Sequence, residues 1–85
     1  MMNEHLILEL HVPAIRFQAE CRFPCAMQVS DGIALAVRLV AAETGLAISD
    51  ADSLRLFFVK EGRVLQPVLT FGETGLQHGD GLMLL

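Results

Sequence analysis

Residues 30–45, SDGIALAVRLVAAETG, are the one stretch that reads clearly as a helix, and segments that alternate with period two lie on both sides of it. A chain divided in this way buries its apolar residues by laying one helix across one sheet. Ser30 or Asp31 is expected to supply the N-cap oxygen for the first turn. Gly45 stands where a helix commonly ends in the left-handed conformation, which costs a glycine nothing. At about 100° per residue, Ile33, Ala36, Val37, Val40 and Thr44 share a face suited to packing on a sheet. The opposite side carries Arg38 and Glu43 but also Leu35 and Leu39, so the helix is apolar on more than one side.

The flanking segments supply the sheet. His5 to Val12 alternates, with Leu6, Leu8, Leu10 and Val12 on one face and His5, Ile7, Glu9 and His11 on the other. Pro13-Ala14 has the length of a hairpin turn. Ile15 to Phe23 alternates again, placing Ile15, Phe17, Ala19, Cys21 and Phe23 opposite Arg16, Gln18, Glu20 and Arg22. Pro24, lacking an N–H, stops that strand. Beyond the helix, Leu46 to Ser53 is a connection whose Asp50, Asp52 and Ser53 mark turns. Leu54 to Lys60 reads as a third strand, Glu61-Gly62 as a turn, and Arg63 to Gln66 as a short fourth strand stopped by Pro67. Thr70 to Gly75 is a loop with room for one helical turn, and Gly79-Asp80-Gly81 turns into a last strand, Leu82 to Leu85. The order is ββαβββ. For 85 residues read as a single domain, the compact solution is an α+β β-grasp, a mixed sheet wrapped on one helix with its first and last strands parallel at the centre.

Composition narrows the function classes. The apolar fraction of 53% is above the usual ~45–50%, and the charged fraction of 19% is below ~25%, so surplus apolar surface needs a partner or a second copy. A net charge of −4 with no basic run does not fit binding to nucleic acid phosphates. With no Trp or Tyr, the chain also lacks the aromatic platforms of single-strand binders beyond its Phe residues. No segment approaches the roughly 20 apolar residues of a membrane span. The start, MMNEHLILEL, has no basic region of the kind that opens a signal peptide. A cytoplasmic location with reduced Cys21 and Cys25 is therefore expected.

The run from Leu54 to Leu85, LRLFFVKEGRVLQPVLTFGETGLQHGDGLMLL, is similar to the second half of ubiquitin. The shared pattern is strand, turn, short strand, then a loop ending in apolar Leu76 and a Gly/Asp turn into the last strand. The front half fits as well, with a hairpin and then a helix ending at Gly45 before Leu46. Ubiquitin and the small sulfur carriers close with a flexible Gly-Gly tail, whereas the residues here end at Leu84-Leu85. A chain continuing to Gly-Gly would be a sulfur carrier or protein modifier. Without that tail, the chain resembles the bacterial YukD/EsaB group encoded with type VII (ESX-like) secretion systems, through its length, Phe23-Pro24, and Val29 before the helix. That resemblance implies a ubiquitin-like, non-conjugated and non-enzymatic interaction module, a cytosolic accessory or regulatory component of the secretion machinery.

By strand parity, Leu6, Leu8, Leu10, Phe17, Leu56, Phe58, Leu65, Leu82 and Leu84 are expected in the core, and Ile7, Phe57, Met83 and Leu85 on the open face of the sheet. With the first, last and third strands side by side, those four residues are expected to touch. Phe57, Met83 and Leu85 match the positions of ubiquitin's partner-binding patch. A contiguous apolar patch on a small domain marks an interaction site. The candidate partner-binding residues are therefore Ile7, Phe57, Met83 and Leu85, together with Leu35 and Leu39 for a homodimer through the helix. Sites for chemistry lack parts. Cys21 and Cys25 have no second ligand pair for zinc. His5 and His11 stand roughly 20 Å apart along one strand. Asp50 and Asp52 sit in a turn, where such residues are ordinary. GETGLQHGDG lacks the Gly-Lys-Ser/Thr of a phosphate loop. No catalytic residue, metal or cofactor is expected.

Overall fold

The structure, a computed structural model, describes residues 4–48 and 51–85. The turn expected at Asp50 lies outside the described residues. Among the described residues, five strands form one sheet: β1, His5–Val12; β2, Phe17–Pro24; β3, Leu56–Phe58; β4, Arg63–Val64; and β5, Gly81–Leu84. Their spatial order is β2-β1-β5-β3-β4. β1 and β5 run parallel at the centre, and the other neighbours are antiparallel. Among the described residues there is one α-helix, α1, which spans Val29–Thr44.

The hairpin differs from the expected two-residue turn. Val12 pairs with Phe17, and between them Pro13–Ile15 makes a 3-10 turn closed by Arg16 in the left-handed region, φ 54°. Two-residue hairpin turns need positive φ at their first central position, and the pyrrolidine ring forbids that at Pro13. The chain therefore takes a longer turn, and Ile15 belongs to it rather than to β2. The turn adds no parity error, so Ala19, Cys21 and Phe23 still face inward as expected.

The start of α1 also departs from expectation. The helix begins at Val29, with Gln28 as N-cap and no side-chain cap, so neither Ser30 nor Asp31 holds that position. The orphan donors are met by main chain from far along the sequence. Val29 N–H donates to Leu69 O at 2.8 Å and Ser30 N–H to Pro67 O at 3.0 Å. Asp31 in the first turn complements the positive end of the helix dipole. The C-terminus is as expected, with Gly45 at φ 74° and its N–H donating to Ala41 O.

The core is a seam of side chains from α1 and the inner sheet face. Leu8, Leu10, Leu56, Leu65, Leu82, Val29, Val40 and Phe71 are completely buried. Each large apolar side chain removed from water in this way contributes about 1.5–3 kcal/mol. The parity expectation for the core holds except at Phe17, which is half-buried because it ends an edge strand with a neighbour on one side only. On α1, Val37 is half-buried and Thr44 exposed, whereas Val29 and Gly32 join the buried face.

Phe71 is the largest residue that periodicity missed. It lies in the 3-10 turn Phe71–Glu73, which a reciprocal capping box between Thr70 and Glu73 closes. Its ring stacks on Phe23 at 4.6 Å and presses against α1 at Gly32, where an added Cβ would stand 2.3 Å from the ring.

β3 and β4 are shorter than expected. Leu54 and Arg55 precede β3, although Arg55 and Leu85 still exchange both main-chain hydrogen bonds at 2.8 and 2.9 Å. Phe58 pairs with Arg63, so the intervening turn runs through residues 59–62, with Gly62 at φ 63° and its N–H on Phe58 O.

Candidate interaction surface

The register of the sheet decides which outward side chains meet. Gln18 faces His11, His11 faces Met83, Met83 faces Phe57, and Phe57 faces Val64. These residues form one row across all five strands, each about 4.8 Å from the next. The row is polar on β2 and β1 and apolar on β5, β3 and β4. Met83 and Phe57 are half-buried, and Val64 is 50% exposed. Val59, 48% exposed, lies on the same face as Phe57, and its N–H donates to Gly81 O. Leu85, 51% exposed, continues the face two residues beyond Met83 and lies beside Arg55.

Ile7 does not join this cluster. Its strand neighbour is Arg22, and it stands four residues along β1 from His11, about 13 Å away. Between Ile7 and His11 lies Glu9, paired with Glu20. The expected contact among Ile7, Phe57, Met83 and Leu85 therefore reduces to Met83 with Phe57, extended by Leu85. The reason is register, which parity alone does not supply: parallel pairing sets Met83 against His11 at the far end of β1. Val64 and Val59 were not among the expected patch residues. The residues of the 59–62 turn carry the signal that could have placed them, since that turn sets the pairing of β4 on β3.

The outer face thus divides into an apolar half and a charged half. Arg22, Glu20 and Glu9 give the charged half its character, with Ile7 among them and His11 at its border, where His11 Nε2 lies 3.7 Å from Glu9 Oε1 with both groups exposed. At such exposure this pair contributes little.

Leu35 and Leu39 sit elsewhere. They line a cleft of about 250 Å³ between α1 and β2, together with Cys21, Phe23 and Ala36, and with Glu20 and Arg22 at its lip. A second cleft, about 310 Å³, runs along the other flank of α1 past Ser30, Ile33, Ala34, Asp52, Leu54, Arg55 and Pro67. Its cation is engaged by the main chain, since the Arg55 guanidinium donates to the carbonyls of Asp52 and Leu54.

The groups with chemical potential are largely occupied by the fold. His78 Nδ1 accepts the N–H of Ile7 at 3.1 Å, which extends the pairing of β1 past the end of β5. The glycine-rich segment before β5 is a turn, with Gly75 and Gly79 at φ 87° and Asp80 Oδ2 accepting the N–H of Gln77. Cys21 is buried and Cys25 half-buried, both free, and burial pushes the Cys21 thiol above its ordinary value of 9.0. Among the described residues, no three His, Cys, Asp or Glu side chains gather as a metal site would require. No helix among them is long and apolar enough to cross a membrane.

Solved structures share this architecture. The ubiquitin-like domain of EccD5 from Mycobacterium xenopi matches over 96% of this chain and 93% of its own, with a TM-score of 0.76 and 22% identity. The ubiquitin of Caldiarchaeum subterraneum matches over 95% and 91%, with a TM-score of 0.67 and 24% identity. The fold is a ubiquitin-like β-grasp. An ESX-5 inner membrane complex free of MycP5 contains a similar unit, at a TM-score of 0.74 and 18% identity over 95% of this chain, which spans 20% of the chain it matches. No protein-family model and no curated sequence matches the chain. At these identities the likeness is one of fold, so any function must be argued from the ubiquitin-like surface itself.

Proposed function

We propose that this chain is a non-enzymatic ubiquitin-like interaction module, acting in the cytoplasm as an accessory or regulatory component of a type VII (ESX-like) secretion system, in the manner of the YukD/EsaB group. The observation that carries the reading is the apolar row Met83, Phe57 and Val64 on the uncovered sheet face. Phe and Met are favoured anchors at protein interfaces, and the polar residues around them supply a rim. The fold likeness to the EccD5 domain supports the choice of secretion machinery as the setting.

The test is binding of purified protein to the cytoplasmic components encoded beside its gene, compared with Phe57→Asp. Phe57 is only half-buried, so the variant is expected to keep its melting temperature within a few degrees while losing at least tenfold in affinity, about 1.4 kcal/mol. Retention of full affinity by the Asp variant would remove this face as the docking surface. Neighbouring genes with no FtsK-like ATPase or WXG-type secreted protein among them would remove the secretion setting.

A further inference from the structure

We propose that a second copy of this chain adds to the free edge of β2, antiparallel and about a two-fold axis through Cys21, so that two sheets join into one. The hydrogen bonds of β1 show which groups that edge leaves open. Ile7 N–H donates to His78, Gly79 N–H donates to Ile7 O, and Glu9 N–H donates to Asp80 O. The odd-numbered residues of β1 thus turn their main chain toward β5, and the even-numbered ones turn theirs toward β2. Leu6, Leu8 and Leu10 pair there with Phe23, Cys21 and Ala19. It follows that the N–H and C=O groups of Gln18, Glu20 and Arg22 point outward from the sheet. Among the described residues no strand pairs with that side of β2.

Long open edges are normally blunted by charged side chains, a proline, a bulge or a covering segment, and on β2 the charges are Glu20 and Arg22, of opposite sign, so a second copy can neutralise them. β2 runs eight residues in unbroken one-to-one register, with Pro24 only at its end. Its open edge also borders the apolar cleft lined by Leu35, Leu39 and Cys21.

Charge selects the occupant and the register. An axis through Cys21 places Glu20 opposite Arg22 of the second copy, and Arg22 opposite its Glu20. Those facing residues are the ones with outward main-chain groups, so each pair also exchanges N–H···O=C bonds. Gln18 N–H then meets the carbonyl of the second copy's Pro24, where the missing proline N–H ends the ladder. An axis through Glu20 would oppose two carboxylates, and one through Arg22 two guanidinium groups; both arrangements are unfavourable. The axis through Cys21 also sets the two clefts side by side, so that Leu35 and Leu39 of both helices close over the junction. The outer row of Met83, Phe57 and Val64 stays uncovered, and the dimer therefore stands or falls independently of the docking proposed above.

Sedimentation of the full chain from about 1 μM to about 1 mM should show a monomer–dimer equilibrium. Glu20→Arg and Arg22→Glu, both at exposed positions, should each weaken it about tenfold, because each variant opposes like charges twice across the axis. An equimolar mixture of the two variants should recover wild-type affinity, since every facing pair is then Arg against Glu. In a Cys25→Ser background, diamide should join Cys21 to Cys21. Two thiols give up two protons and two electrons to the diazene, across a non-hydrogen-bonded pair whose Cα atoms stand about 4.5 Å apart. The reaction is run at alkaline pH because burial keeps the thiol protonated. A monomer throughout the concentration range overturns the proposal. So does a dimer indifferent to both charge variants, a mixture that fails to recover, or a dimer that yields no Cys21 cross-link.

Discussion

The two edges of the sheet are finished in opposite ways. At β4 only Arg63 and Val64 pair, and the chain then folds back so that Leu65, Phe71, Thr74 and Leu76 are buried. Carbonyls of that returning segment cap α1, and Arg63 lies over the Phe58 ring at 5.4 Å while donating to Thr74 O at 2.6 Å. At β2 the strand is four times as long, and no described segment covers it. One edge is therefore consumed in stabilising the monomer. The other has no strand partner among the described residues.

Mutations should separate the two edges by size of effect. Phe71→Ala, on the closed side, should cost about 3–5 kcal/mol in urea unfolding, since it empties a stacked site beneath the helix. A loss below about 1 kcal/mol would mean that the returning segment does not seal the core. Gly32→Ala should gain about 1 kcal/mol of helix propensity, yet the ring it meets is completely buried and cannot swing aside. Overpacking of about 1–3 kcal/mol should therefore win, and the melting temperature should fall. Arg63→Ala should cost about 1 kcal/mol, because it loses a charged hydrogen bond and a ring contact at a position that is largely exposed. Leu39→Ala, on the open side, should cost the monomer under about 1 kcal/mol, for the side chain is only half-buried. An unfolding cost as large as that of Phe71→Ala would erase the contrast between the edges.

The smallest effect concerns acid. Glu73 accepts the N–H and the hydroxyl of Thr70, and these bonds hold its carboxyl below the ordinary value of 4.5. The folded state thus favours the ionised form. That contribution is fully present above pH 4.5 and is lost as pH falls through the lower folded value. Glu73→Gln should flatten the acid limb of the stability curve, lowering stability slightly above pH 4.5, where Glu73 is ionised, and leaving it nearly unchanged at the acid end. An unaltered limb would show that this capping box contributes nothing to the acid response.

Local pattern was enough for much of the fold. Alternation located β1 and most of β2, the run of small and apolar residues located α1, and Gly45 marked its end. Phe71 escaped because it stands in a turn with no periodicity, flanked by Thr70 and Gly72, and only the approach of Gly32 reveals its place. The N-cap escaped for a related reason: its partners, the carbonyls of Pro67 and Leu69, lie nearly forty residues away in the chain.

The candidate surface shows the same division. Parity assigned Phe57, Met83 and Leu85 to the outer face, because side chains must alternate along any strand. Which of them touch depends on the pairing of β1 with β5 and of β3 with β4, and no single strand carries that information.

Sequence alone therefore located the main strands and the helix, and assigned their inner and outer sides. Tertiary structure decided the neighbours across strands, the edge left open, and the separation of Ile7 from Met83. Periodicity is written within a segment of a few residues, whereas register and closure arise only when segments distant in sequence share hydrogen bonds.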